Sequence, residues 1–218
     1  FSANVAGPFS TTDTFTGLTP GVHRFYAQDG KECPAFIDVT ILEPTALTTT
    51  ANAAPFSCNT TTNAKQSTTV TIVAPTTGTS PYEYSFNGTS YGPVKTLTVN
   101  DNGSDQVITF YVRDKNLCVY SNTLTIAKLN PPEIASATPS AVTCTALTST
   151  VTIITKPGTG VGNLTYSITA PAAYVTTNTD GIFANLDPNI TYSFKVVVEN
   201  GCFDTETLKV NAVTPILV

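Results

Sequence analysis

The sequence predicts an all-β protein made of tandem small sandwiches, and three observations carry that prediction. The first is a phased repeat. Phe25, Phe110 and Phe194 each stand eight residues before a cysteine, Cys33, Cys118 and Cys202, and each cysteine stands eight residues before a branched apolar residue, Ile41, Ile126 and Val210. The set recurs after 85 and then 84 residues, so the chain reads as an array rather than one domain of 218 residues. The second is alternation with period two: Ile108, Phe110 and Val112 share one strand face, as do Tyr192, Phe194, Val196 and Val198, Ile37, Val39 and Ile41, and Leu124 and Ile126. The third is punctuation. Turn residues recur every 8 to 12 positions, as in Pro75-Thr76-Thr77-Gly78, Asn87-Gly88, Asp101-Asn102-Gly103 and Pro157-Gly158, and no amphipathic helix pattern stands out. About seven short strands per copy at that spacing is the pattern of an immunoglobulin-like β-sandwich.

The copies divide the chain at 1–44, 45–131 and 132–218. Copy one reads Phe25-Tyr26-Ala27-Gln28-Asp29 ahead of its cysteine, copy two Phe110-Tyr111-Val112-Arg113-Asp114, and copy three Phe194-Lys195-Val196-Val197-Val198. Upstream, Phe15 to Gly21 answers Phe183 to Asn189. Copies two and three also carry an early cysteine, Cys58 and Cys144, followed by a Thr- and Val-rich run over 68–73 and 149–154. Copy one has no such half, because Phe1-Ser2-Ala3-Asn4 already resembles Tyr84-Ser85-Phe86-Asn87; it is expected to supply only the later strands of a unit. Phe25, Phe110 and Phe194 are the expected core residues. Each closing strand soon meets proline, at Glu43-Pro44, Asn130-Pro131-Pro132 and Thr214-Pro215, which predicts short, semi-rigid joints and a rod with limited bending.

Composition narrows the function. Only 11% of residues are charged, threonine is roughly one residue in five, and Met and Trp are absent. Threonine and valine suit a half-buried pleated surface, and a threonine-rich solvent face fits an extracellular protein. The net charge of −5, with no Lys/Arg cluster, argues against nucleic acid. No run approaches the roughly 18 apolar residues of a membrane span. With no initiating Met and no leader, the sequence is expected to be a segment of a longer, processed polypeptide.

Chemistry-bearing residues are sparse. A nucleophile–imidazole–acid triad would need His23, the single histidine, which stands where copy three has Tyr192, and a tyrosine-corner role is expected there. No two cysteines have zinc-ligand spacing. Asp29 with Glu32 and Asp101 with Asp105 are the nearest carboxylate pairs for glycoside hydrolysis, but they fall on turns that Asp stabilises by itself. Calcium at these turns is the one cofactor with suitable ligands, although no loop has the acidic spacing of a calcium motif. Tyr82, Tyr84 and Tyr91 could offer a sugar platform, yet Tyr82 and Tyr84 share a strand face and read as core. No catalytic, cofactor-binding or metal residue is assigned, and the protein is not expected to be an enzyme.

Pro81-Tyr82-Glu83-Tyr84-Ser85-Phe86-Asn87-Gly88, the Leu18-Thr19-Pro20-Gly21 turn before an aromatic strand, Asn200-Gly201-Cys202 and the closing Glu43-Pro44 together resemble the repeats of SprB-type gliding adhesins. These are giant cell-surface filaments of Bacteroidetes exported by type IX secretion. The resemblance covers essentially the whole chain, with His23 standing where the family usually has Tyr. It implies a structural and adhesive segment of a secreted filament at the outer-membrane surface, with gliding machinery and surface polysaccharide as partners besides neighbouring repeats. The alternatives are a polysaccharide-binding module and spacer repeats attached to a secreted hydrolase.

Five cysteines in a secreted rod suggest disulfides, and two pairings compete. Proximity favours pairing within a unit, Cys58 with Cys118 and Cys144 with Cys202. Sandwich geometry favours a bond across the joint. The cysteine after the first strand lies at the pole facing the next unit and the one in the last hairpin at the opposite pole, roughly 20–26 Å apart and beyond the ~7 Å Cα limit. Stacking selects Cys58 with Cys202, leaving Cys33, Cys118 and Cys144 with partners outside the sequence.

Overall fold

The structure is a computed structural model and describes residues 1–212; Thr214-Pro215 and the end of the third copy lie outside the described residues. It is all-β, with several small antiparallel sheets and, among the described residues, one 3-10 turn, Ala172–Tyr174.

Copy one forms a hairpin of β1 (Gly21–Gln28) and β2 (Pro34–Ile41). Copy two contains β3 (Ala51–Asn52), β4 (Ser57–Cys58), β5 (Lys65–Gln66), β6 (Thr68–Ile72), β7 (Glu83–Ser85), β8 (Thr96–Val99), β9 (Gln106–Arg113) and β10 (Val119–Ile126). Copy three contains β11 (Ile134–Pro139), β12 (Ser149–Thr155), β13 (Leu164–Ala170), β14 (Thr176–Asn178), β15 (Ile182–Leu186), β16 (Thr191–Val198) and β17 (Phe203–Lys209). The sheets of copy two run β3-β6-β8 and β10-β9-β7; those of copy three run β11-β12-β15 and β14-β13-β16-β17. Copy two has eight strands where seven were expected, six in its two sheets and two in the small β4-β5 hairpin. Its turn is made by two asparagines: the Asn59 side chain accepts from the amides of Thr61 and Thr62, and Asn63 takes a left-handed φ of 58°.

The sequence repeat reappears as a repeat of register. Ser2 bridges Tyr26, Ser85 pairs with Tyr111, and Ser167 pairs with Lys195, each partner following its copy's phenylalanine. In the hairpins, Phe25 lies opposite Ile37, Phe110 opposite Asn122 and Phe194 opposite Glu206. The Ser2 and Ser85 hydroxyls each accept the amide two residues on, from Asn4 and Asn87, so the same serine turn follows the pairing in both copies.

Burial separates the copies. Phe194 is 1% exposed in a cluster fed by both sheets of copy three, with Val151, Ile153, Phe183 and Leu186 from one and Tyr166, Ile168, Tyr192 and Val196 from the other. Phe110, also 1% exposed, packs with Leu47, Ile72 and Val112, and Tyr82 and Tyr84 lean against that cluster. Phe25 corrects the expectation of a third core: it is only half-buried. It rests on Phe15 with ring centroids 4.5 Å apart, as Phe194 rests on Phe183 at 5.4 Å. No second sheet covers the hairpin among the described residues, so Ile37 beside it is 63% exposed. His23 makes a turn contact like that of Tyr192. Its Nε2 lies 2.6 Å from the Thr19 carbonyl, as the Tyr192 hydroxyl donates to the Asp187 carbonyl at 3.1 Å.

Candidate functional site: the joint between the second and third units

Cys58 is bonded to Cys202 across 144 residues of sequence, with Cα atoms 4.7 Å apart. Cys58 sits in β4, at the first-strand end of unit two; Cys202 sits in the β16–β17 hairpin tip of unit three. This is the expected cross-joint pairing, and the within-unit pairs are not formed. Cys33, Cys118 and Cys144 are free and exposed.

Around the bond, the tip and the pole are fitted by hydrogen bonds. The Cys58 amide donates to the Asn200 carbonyl at 3.0 Å. The Asn63 side chain imitates a strand neighbour, donating to the Phe203 carbonyl at 2.7 Å and accepting the Phe203 amide at 2.9 Å. Lys195 donates to the Thr60 carbonyl at 3.1 Å while its ammonium lies 3.6 Å from the centre of the Phe203 ring. Beneath these contacts lies a buried apolar cluster of Phe56, Cys58, Val70, Val99, Ile126 and Leu129 from unit two with Val198 and Cys202 from unit three. The expectation of wholly separate cores therefore needs correction: Phe110 and Phe194 occupy separate clusters, but a third crosses the joint.

The connecting segment is held from both sides. On unit two, the Asp101 carboxylate accepts from the Leu129 amide at 3.1 Å and pairs with Lys65 at 2.6 Å, and Asp105 accepts from the Lys128 amide at 3.0 Å. Burial alone would raise the Asp101 pKa, but Lys65 and the amides of Leu129 and Gly103 outweigh it and hold the carboxyl below its ordinary range. On unit three, the Asn130 amide side chain donates to the Gly158 carbonyl at 2.9 Å, and buried Pro132 lies so close to Gly160 that a Cβ there would meet it at 2.8 Å. Asp101 and Asp105, weighed as catalytic or calcium carboxylates, are thus linker clamps.

The other sequence candidates are also engaged in turns. Asp29 accepts the amides of Lys31 and Cys33, and Asp114 those of Asn116 and Cys118, fixing the two hairpin tips. Among the described residues, no three His, Cys, Asp or Glu side chains converge as a metal site. Tyr91 lies under the Arg113 guanidinium at 4.4 Å, and Arg113 pairs with Glu83. Sequence reasoning reached the cysteines but missed Asn63, Gly201 and Lys195; the one visible signal was a glycine directly before Cys202 where Cys33 and Cys118 have Glu32 and Leu117.

No family model matches this chain, and no curated protein matches it at a significant level.

Proposed function

We propose that the chain is a load-bearing segment of a secreted cell-surface filament, similar to SprB-type gliding adhesins, in which immunoglobulin-like repeats hold a binding region away from the cell. The Ig-like reading is supported by the 3+3 and 3+4 strand orders of units two and three and by the Tyr192 corner. The observation that carries the function is the Cys58–Cys202 bond. Tension entering unit two through residue 45 reaches Cys58 after a short stretch, crosses to Cys202 and leaves along β17. Everything between the two cysteines, including Phe110 and Phe194, is bypassed by the covalent path. Such a shunt suits a filament that carries load. A structural disulfide also belongs in an oxidising compartment, which supports display outside the cell.

Antibodies raised against residues 1–212 test this on intact cells of the source organism. Labelling of the unpermeabilised surface, lost after brief external protease, is the expected outcome; labelling that needs permeabilised cells overturns it. A glycan array separates the runner-up: saturable binding of this segment to a polysaccharide would make it a recognition module.

A further inference from the structure

The three hairpin tips share one turn. In each, the first residue's amide donates to the cysteine carbonyl, Asp29 to Cys33, Asp114 to Cys118 and Val198 to Cys202. In each, the residue before the cysteine is left-handed: Glu32 at φ 64°, Leu117 at 65° and Gly201 at 85°. The turn itself therefore tolerates a side chain, and an αL conformation is not what demands glycine at 201. The docked neighbour is. A Cβ built on Gly201 would lie 2.6 Å from the Cys58 carbonyl oxygen, a backbone atom of the residue whose own amide donates to the Asn200 carbonyl. Leu117, at the same place in the undocked tip, is 68% exposed.

We infer that Gly201 is the specificity-determining residue of the joint: a first-strand cysteine pole of this type accepts only a tip whose cysteine follows a glycine. The Glu32 and Leu117 tips cannot seat flush in this way, so Cys33 and Cys118 do not form staples of the Cys58–Cys202 geometry with any pole built like this one. The chain then carries two kinds of tip, one that fits such a pole and two that do not. This goes beyond the filament reading and does not depend on it.

The test is a redox equilibrium in the full chain. Oxidised glutathione takes up the two electrons released as the Cys58 and Cys202 thiols join, giving the protein disulfide and two reduced glutathione molecules. Thiols left free are alkylated and counted by mass. In Gly201→Leu, which gives this tip the residue found at 117, the equilibrium constant for forming Cys58–Cys202 is expected to fall at least tenfold, so that buffers leaving three free thiols in the parent leave five in the variant. Gly201→Ala adds only the Cβ and must move the same way; it decides the matter if the leucine variant does not fold. Gly17→Leu, at φ 73° with nothing within 4 Å of its Cβ position and away from this joint, should leave the constant unchanged. A shift below tenfold in the folded Gly201→Leu variant, an unchanged constant in the alanine variant, or an equal fall in the Gly17 control would overturn the inference. None of these results bears on where the filament is displayed or what it binds.

Discussion

Unit two is flanked by two neighbours of the same sequence family and engages them differently. Toward unit three it has a disulfide, backbone and side-chain hydrogen bonds, a buried cluster and a linker clamped on both sides. Toward the Phe25 hairpin, no hydrogen bond or ion pair crosses among the described residues; Glu43, Pro44 and Leu47 instead border an open cleft of about 690 Å³ with Gly78, Asp114 and Cys118. Proline in the linker is common to both joints. What differs is the contact made: Cys202 at one tip is bonded to Cys58 of unit two, whereas Cys118 at the other is free and exposed.

The sharpest contrast should appear in the cores. Phe194→Ala and Phe110→Ala each remove a fully buried ring and should cost about 3–5 kcal/mol, whereas Phe25→Ala, half-buried with no facing sheet, should cost under about 1 kcal/mol. Calorimetry checks this, with the loss expected mainly in the mutated unit and partly transmitted by the cluster that crosses the joint. A Phe25 variant as damaging as Phe194→Ala would break the comparison.

Removing the staple comes next. Cys58→Ala with Cys202→Ala should lower the stability of units two and three by about 2–5 kcal/mol, since a closed loop of this length strongly restricts the unfolded chain. Cys118→Ala and Cys144→Ala, both free and exposed, should leave denaturant midpoints nearly unmoved.

Asn63→Ala removes two hydrogen bonds to Phe203 and should cost about 1–2 kcal/mol, read as faster amide exchange at Phe203 than at Phe194. Asp101→Asn is the smallest and carries a pH signature. Because the folded carboxyl titrates below its unfolded value of about 3.9, its contribution is fully present above that pH and is lost as pH falls through the folded pKa. The parent should therefore exceed the variant by about 1 kcal/mol at pH 7, a modest amount because Lys65 is half exposed, and the two should converge below about pH 4.

Much of the architecture was legible in the chain. The Phe-to-Cys spacing located the three hairpins because a cysteine at a fixed distance from a core residue fixes both strand register and turn length. The alternation over Tyr192 to Val198 matched a strand buried on one face along its whole length. It misled at Phe25, because period two reports which residues share a face and not whether anything covers it. The disulfide was reachable by reasoning from the poles of a sandwich. Its setting was not: Asn63 and Lys195 act through contacts 140 and 135 residues away in sequence and Gly201 through one to Cys58, and nothing local marks an asparagine whose side chain will serve as a strand neighbour.

Force spectroscopy on the whole chain, pulled from its two ends, tests the load path most directly. With the staple intact, the segment between Cys58 and Cys202, a sequence separation of 144, should contribute no contour length at any force below that of covalent rupture. After reduction, the same chain should lengthen further by on the order of 500 Å as both units unravel. Equal contour lengths before and after reduction would contradict the account.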